Sequence, residues 1–456
     1  MGKTDFFALC GAALVCVSAG SPALAQDPDA PSDPFRDYES GRIVEALDGA
    51  ERGIAQEPQS AVWWALAAES RAKLGHHDGA AVAFSRAAQF ETDPSRKDYF
   101  RRAEAQQWVL AGRKDKARAV VDAARSDPSA NRERSVDWAM AAIAAGDDAA
   151  AQELLADDAA TSGMTRQSAL DAAYSAKRSG KDKRAIRFFE AGLALDAQEE
   201  TPLSPAQREA IRRETRELGR DWSLVAQSSF SSAGRPIGPV DTEIGDDLAA
   251  QFGAELVRRI GGWRNGQPFS LFARFYHTDF LTGEEASGDA TQGWLGIRYK
   301  PLSRVNFNLD ASRLVALDDQ GLDDWSVRGA ISGGTGLEPN IGQASWPYAH
   351  YYSDLSYLTD ADVVYGLTEG RVGYVFDINR STSTITPYAV ARLDIDTGRA
   401  TEEALGVGLG VSLRHWFDDS DTVAYRGFMD LDVQVRERVL GDRRATGVVA
   451  SVTVGR

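Results

Sequence analysis

Five histidines are the first candidates for metal or proton chemistry in this 456-residue chain, and only His76-His77 stand together. A zinc site needs three or four converging ligands. The others, His277, His350 and His415, bring no ligand spacing with them, and two polar side chains in an exposed turn are the simpler reading of the pair. Gly406-Val407-Gly408-Leu409-Gly410 resembles a phosphate-cradling loop, but the helix such a loop must open does not follow it. Small residues along one strand face fit better. Glu284-Glu285 falls in a Gly- and Ser-rich stretch with nothing to bury an acid. Neither a Walker loop nor a Gly-x-Ser-x-Gly elbow occurs. The sequence predicts no catalytic, metal or cofactor site, and a protein that is not an enzyme.

Charge narrows the partners. Against 51 basic residues stand 67 acidic ones, a formal net charge of −16. Nucleic acid is excluded, because phosphate binding needs clustered Lys and Arg. At the N-terminus Lys3 precedes an apolar stretch from Phe6 to Val17, then Ala23-Leu24-Ala25. This pattern predicts a signal peptide over 1–25, cut before Gln26, and a short linker over 26–34. Cys10 and Cys16 both lie in the removed segment, so the exported chain is expected to carry no disulfide. No later window reads as a transmembrane helix. Any membrane insertion would have to use a closed β-barrel.

The elements come in two kinds. From 35 to 220 the chain is rich in Ala, Arg, Asp and Glu, and it repeats. A Gly is followed five residues later by Ala at Gly41/Ala46, Gly75/Ala80, Gly112/Ala117, Gly146/Ala151 and Gly180/Ala185, and successive glycines lie 34, 37, 34 and 34 residues apart. That is the tetratricopeptide period. Each Gly is expected in the turn of a helix pair, and each Ala where the second helix presses on the first. The clearest unit, Ser60 to Pro94, carries Trp64, Ala68, Gly75, Ala80, Phe84 and Ala87 where the repeat wants them. Trp63 and Trp64 read as one core and one surface aromatic. Pro58, Pro94 and Pro128 are expected to close units, and Phe189 repeats the Phe84 position. The 37-residue step implies an insertion near Thr92 to Lys97. From Ser204-Pro205 to Gly219 the sequence predicts a solvating end helix, with Ser as N-cap, Pro in the first turn and Gly as stop. Such a solenoid offers a groove for a protein partner.

Beyond 221 the period changes to two. About twelve strand-like runs fill 221–456, centred on 222–230, 248–260, 268–277, 292–300, 304–316, 324–332, 348–358, 363–376, 384–395, 403–417, 422–438 and 445–454, with Gly- and Asp-rich turns between them. From Leu405 to Leu413 the odd positions are Leu or Val while the even ones are mostly Gly. From Val423 to Val435 the odd positions are again mostly apolar, against Arg426, Phe428, Asp430, Asp432, Gln434 and Arg436. Runs this long, with Trp294, Tyr299, Tyr348, Tyr374, Phe376, Trp416 and Phe417 near their ends, favour an antiparallel β-barrel over a soluble sandwich. In the barrel, Arg392, Asp394, Arg414, Arg426, Asp430, Asp432, Gln434, Arg436 and Arg438 would face the lumen. In a sandwich they would form the solvated face. The last residues, Val452 to Arg456, lack the terminal aromatic common in outer-membrane barrels.

The segment Gln343 to Leu358, QASWPYAHYYSDLSYL, resembles the C-terminal domain of the bacteriophage N-four adsorption protein A family, with Trp346-Pro347-Tyr348 its most specific part. GRPIGPVDT, from Gly234 to Thr242, and TPYAVARLDIDTG, from Thr386 to Gly398, sit where that family has comparable stretches. The resemblance implies an outer-membrane protein with its repeats in the periplasm, associated with exopolysaccharide export and usable as a phage receptor. Its partners would be a periplasmic or inner-membrane protein, bound through the repeats, and a polysaccharide. Two alternatives stay open: an outer-membrane-anchored adaptor without transport, and a soluble periplasmic β-domain protein.

Overall fold

The computed structural model describes residues 33–127, 135–156, 163–232, 249–280, 290–319, 321–379 and 382–456. The expected signal peptide, most of the linker, Pro128, Gly234 to Thr242, Glu284-Glu285 and Gln320 lie outside these. Eleven α-helices come first among the described residues: α1 Pro34–Glu39, α2 Ile43–Gln56, α3 Ala61–Lys73, α4 His77–Phe90, α5 Pro94–Leu110, α6 Lys114–Arg125, α7 Ser135–Ala145, α8 Asp148–Leu154, α9 Arg166–Arg178, α10 Asp182–Asp196 and α11 Pro205–Gly219. Twelve strands follow: β1 Trp222–Ser231, β2 Ala249–Ile260, β3 Phe269–Phe280, β4 Ala290–Tyr299, β5 Asn306–Ala316, β6 Asp324–Thr335, β7 Ser345–Leu358, β8 Val363–Asp377, β9 Ser383–Asp396, β10 Glu403–Phe417, β11 Gly427–Gly441 and β12 Gly447–Gly455.

The repeat markers fall where the spacing predicts. Gly41, Gly75, Gly112, Gly146 and Gly180 have φ of 81°, 78°, 76°, 75° and 67°. At each one the amide after the glycine closes on a carbonyl five residues back, as in His76 N to Arg71 O at 2.8 Å and Lys181 N to Ala176 O at 2.9 Å. The same helix stop, requiring a left-handed residue, thus recurs five times. Ala46, Ala80, Ala117, Ala151 and Ala185 are all fully buried, with no room for a larger side chain. Phe84 and Phe189 fill equivalent core positions. The extra residues of the 37-residue step form no loop. They lengthen α5 to 17 residues, with Pro94 opening it after the Asp93 N-cap rather than closing a unit.

Packing divides the chain into two compact units, one ending at Arg113 and the other running from Lys114 to Arg456. The division therefore falls inside the repeat array and not at the helix-to-strand junction. In the first unit Trp63 stacks on Phe35, ring centroids 5.3 Å apart, while Trp64 packs with Ala68, Phe84 and Phe100. Both tryptophans are half-buried, so the expected division into core and surface does not hold.

The second unit holds α6–α11 and the barrel together. One core runs from Val121 to Leu218 through Trp138, Leu170, Phe188, Phe189 and Ile211, and Trp263 of the β2–β3 turn packs onto it. The strands pair antiparallel in sequence order, and β1 closes on β12 with Val225 opposite Gly455 and Ser231 opposite Val449. Twelve strands closed this way leave no free edge.

α11 departs from expectation. Ser204 and Gln207 form its capping box, with Pro205 in the first turn. The helix does not end in solvent, however, but binds the barrel turns. Arg212 reaches Asp419 at 2.7 Å and the Ser420 carbonyl at 2.8 Å, Arg213 donates to the Pro339 carbonyl at 2.6 Å, and Arg216 grips Glu338 at 3.0 Å. Asp182 accepts from the Trp263 amide at 2.6 Å, an approach that the missing side chain at Gly262 permits.

Candidate functional site

Burial in the barrel is inverted relative to a water-soluble domain. Along β10 and β11 the apolar residues Val407, Leu409, Val411, Leu413, Met429, Leu431, Val433 and Val435 point outward and are exposed, Leu409 at 70%. Ser412, Asp430, Asp432, Gln434 and Arg436 point inward and are buried. The outward pattern continues through Leu224, Leu256, Leu271, Leu295, Leu309, Val327, Leu355, Val372, Ile385 and Val452 on the other strands. Aromatics flank this band on the outside: Trp222, Tyr299, Tyr374 and Phe376 at the end facing the helices, Trp325 and Tyr357 towards the other. Trp294 and Trp416, expected among such end residues, are buried inside the barrel, and Tyr348 also turns inward, towards Tyr388.

The interior is filled. On one side Phe272, Trp294, Leu314 and Leu358 make an apolar cluster. Beside it an ion ladder crosses six strands, β2 to β7. Arg274 and Arg298 hold Glu255, Arg298 and Arg328 share Asp310, and Arg328 continues to Asp354 and the Tyr352 hydroxyl. Its three carboxylates balance its three guanidinium groups, and Phe272 lies 5.3 Å from Arg274 and 4.9 Å from Arg298. Apart from Asp354 and Tyr352, which lie in the Gln343 to Leu358 segment that carries the resemblance, none of these ladder residues was singled out in sequence, and none as an ion-pair partner. Their one signal is one Arg or carboxylate in each of successive strands, which means little until the register is known.

A second network holds seven of the nine residues expected in the lumen. Arg392 binds Asp394 at 2.9 Å and approaches Glu369 at 3.6 Å. Arg414 donates to Asp430 at 3.0 Å. Asp432 accepts from Arg371 at 3.0 Å and from the Tyr388 hydroxyl at 2.7 Å. Gln434 and Arg436 stand next in line, with Gln434 Oε1 and Arg436 Nε and Nη1 lacking partners. Glu369 and Arg371, which tie this network together, were missed. The exceptions are Arg438, exposed near the end of β11 and donating to the Gly441 carbonyl at 3.3 Å, and Arg426. Arg426 lies before β11 in the turn from 418, 3.9 Å from Asp418 and half-exposed. The reason is α11: Val423 and Ala424 are buried at the turn it grips, so the apolar alternation there reflects docking and not a strand.

In the helical half, His77 Nδ1 meets Gln107 Oε1 at 2.8 Å. Asp196 is fully buried and accepts from Arg166 at 2.9 Å, Arg208 at 2.6 Å and the Leu203 amide at 2.7 Å. Burial opposes its charge, but these donors outweigh it and hold the carboxyl below the ordinary aspartate value.

Comparison with known proteins agrees with the sequence resemblance. Residues 283–452 match the family model described as "Bacteriophage N adsorption protein A C-term". No curated protein matches the chain. Among solved structures, MamA is 10% identical over 37% of this chain and 96% of its own, with a TM-score of 0.31. The tetratricopeptide protein YrrB is 11% identical over 36% of this chain and 84% of its own, with a TM-score of 0.28. The COG4313 outer membrane channel from Pseudomonas putida F1 is 8% identical over 56% of this chain and 99% of its own, with a TM-score of 0.30. At such scores these likenesses carry no argument, and the architecture rests on the repeats and the closed barrel themselves. The match spans the segment 283–452, from just before β4 into β12.

Proposed function

We propose that the chain is an outer-membrane protein whose barrel crosses the bilayer, with its tetratricopeptide-like helices in the periplasm, and that it serves exopolysaccharide export. The observation that carries the membrane reading is the inverted burial: an apolar band on every strand, flanked by aromatics, around a polar, hydrogen-bonded interior. In water, an apolar surface encircling a whole domain would drive association; in lipid it is the stable face. The helical half offers a surface for a periplasmic or inner-membrane protein, while the polar, charge-balanced inner residues of the barrel are of a kind that suits a glycan at its mouth. The protein acts by binding and positioning and is not an enzyme. Its family description adds use as a phage receptor.

The membrane reading is tested by fractionation and heat-modifiable migration on a gel. A barrel soluble without detergent would end it. Export is tested by deleting the gene and measuring secreted polysaccharide, where a marked fall is expected. Unchanged secretion would leave the adaptor reading, in which the barrel only anchors the repeats.

A further inference from the structure

At the mouth of the barrel that faces α11 lies a cavity of about 440 Å³, within the range of ordinary small-ligand sites. Its charge runs against that of the chain. Arg259, Arg298, Lys300 and Arg304 line it, with Glu217 as the one acid.

Only one of these cations is neutralised in place. Arg298 is held by Glu255 at 2.9 Å and Asp310 at 2.8 Å. Arg259 donates instead to the main-chain carbonyl of Glu217 at 2.7 Å. Lys300 is held by the carbonyls of Gly266 at 2.9 Å and Ser303 at 3.2 Å. Carbonyl oxygens fix these groups in position without cancelling their charge. Arg304 is exposed, and among the described residues no ion pair joins Arg259, Lys300 or Arg304 to a carboxylate. Glu217 is itself engaged, by Arg216 at 3.2 Å. Three cations without a direct carboxylate partner therefore converge, with Glu217 as the one acid beside them, on one concave site in a protein of net charge −16. Asn306 and Asn308 add amides on the same wall, the kind of group that hydrogen-bonds hydroxyls.

We propose that this cavity is a binding site for a negatively charged saccharide segment, held by Arg259, Lys300 and Arg304 through its acidic substituent and by the two asparagines through its hydroxyls. The proposal rests on the glycan-export reading and sharpens it. The site selects acidic over neutral glycan at the helix-side entrance, before the interior is reached.

The probe is trigalacturonate, compared with neutral maltotriose, titrated into the full chain in detergent. Trigalacturonate is expected to bind about tenfold or more tightly than maltotriose, and added salt should weaken it, since the cavity opens to solvent. The double variant Lys300→Gln/Arg304→Gln should lose about tenfold in affinity for trigalacturonate while keeping heat-modifiable migration. Should the double variant fail to form the barrel, Arg304→Gln alone, which breaks no ion pair, serves instead, with a loss of about threefold expected. Equal binding of the two trisaccharides, or unchanged binding in the variant that folds, would overturn the proposal. Secretion keeps it separable from the export reading. If gene deletion stops secretion but the trisaccharides bind alike, the cavity assignment falls and export stands. If deletion leaves secretion intact, export falls whatever binds.

Discussion

Arg436 illustrates how a side chain can stand in a charged network with two of its own donors unsatisfied. The carboxylates nearest it, Glu369 and Asp394, are already engaged by Arg371 and Arg392. Its own Nε and Nη1 are covered and unpartnered. A buried guanidinium in this position costs more than an apolar side chain of similar length. Arg436→Met is therefore expected to raise resistance to urea unfolding in detergent by about 1–3 kcal/mol. A loss of stability would mean that the charge balance of the whole network outweighs the missing hydrogen bonds. Asp196 makes the opposite case, since every acceptor oxygen there is used. Asp196→Asn should cost about 3 kcal/mol at neutral pH, read as a lower midpoint of helix melting by circular dichroism. The sign follows from the depressed folded pKa. Its contribution is present above the unfolded aspartate value of about 3.9 and is lost as pH falls through the folded one. The gap between wild type and variant should therefore close in acid, and a gap independent of pH would refute the assignment. These partners were illegible in sequence, because Arg166 and Arg208 approach Asp196 from either side through tertiary packing and not at a helical spacing.

Elements were legible to the extent that a local rule makes them. The five Gly-to-Ala markers were readable because a left-handed turn and a fully buried β-carbon each leave few residue choices. Gly75 isolates the first of these, since a Cβ there would meet nothing. Gly75→Ala should then cost about 1–2 kcal/mol through backbone conformation alone, seen as a lower melting midpoint. Loss of the helical signal altogether would show that packing was involved. Strand positions were equally readable where one face is apolar and the other small or charged, as in β10. In β3, Phe272 and Tyr276 face inward while Leu271 and Phe275 face out, so alternation was blurred and the ladder around Phe272 went unseen. α11 was misjudged for a related reason. Arg212, Arg213 and Arg216 look like a solvated helix face until the turns at Glu338 and Asp419 are placed beside them.

At the scale of the molecule, one outward residue separates a membrane barrel from a soluble one. Leu409 sits in mid-strand and is the most exposed of the large apolar residues. In a bilayer, Leu409→Arg should cost about 2–4 kcal/mol and reduce the heat-modifiable, outer-membrane fraction. On a solvated face the same change stays within about 0.5 kcal/mol, and an unaffected yield would argue that this surface never meets lipid. The closed topology was legible in the number and length of the strands, but the fullness of the interior was not. Whether inward side chains meet across a barrel depends on its diameter, which no single strand encodes.

Only Arg220 and Asp221 separate the end of α11 from the start of β1. With α11 also fastened to two barrel turns, at Glu338 and Asp419, and α10 to a third at Trp263, the helices α6–α11 have little slack with which to swivel. They make a handle more than a tether. A protein that seized this handle would transmit its pull directly to the rim of the barrel.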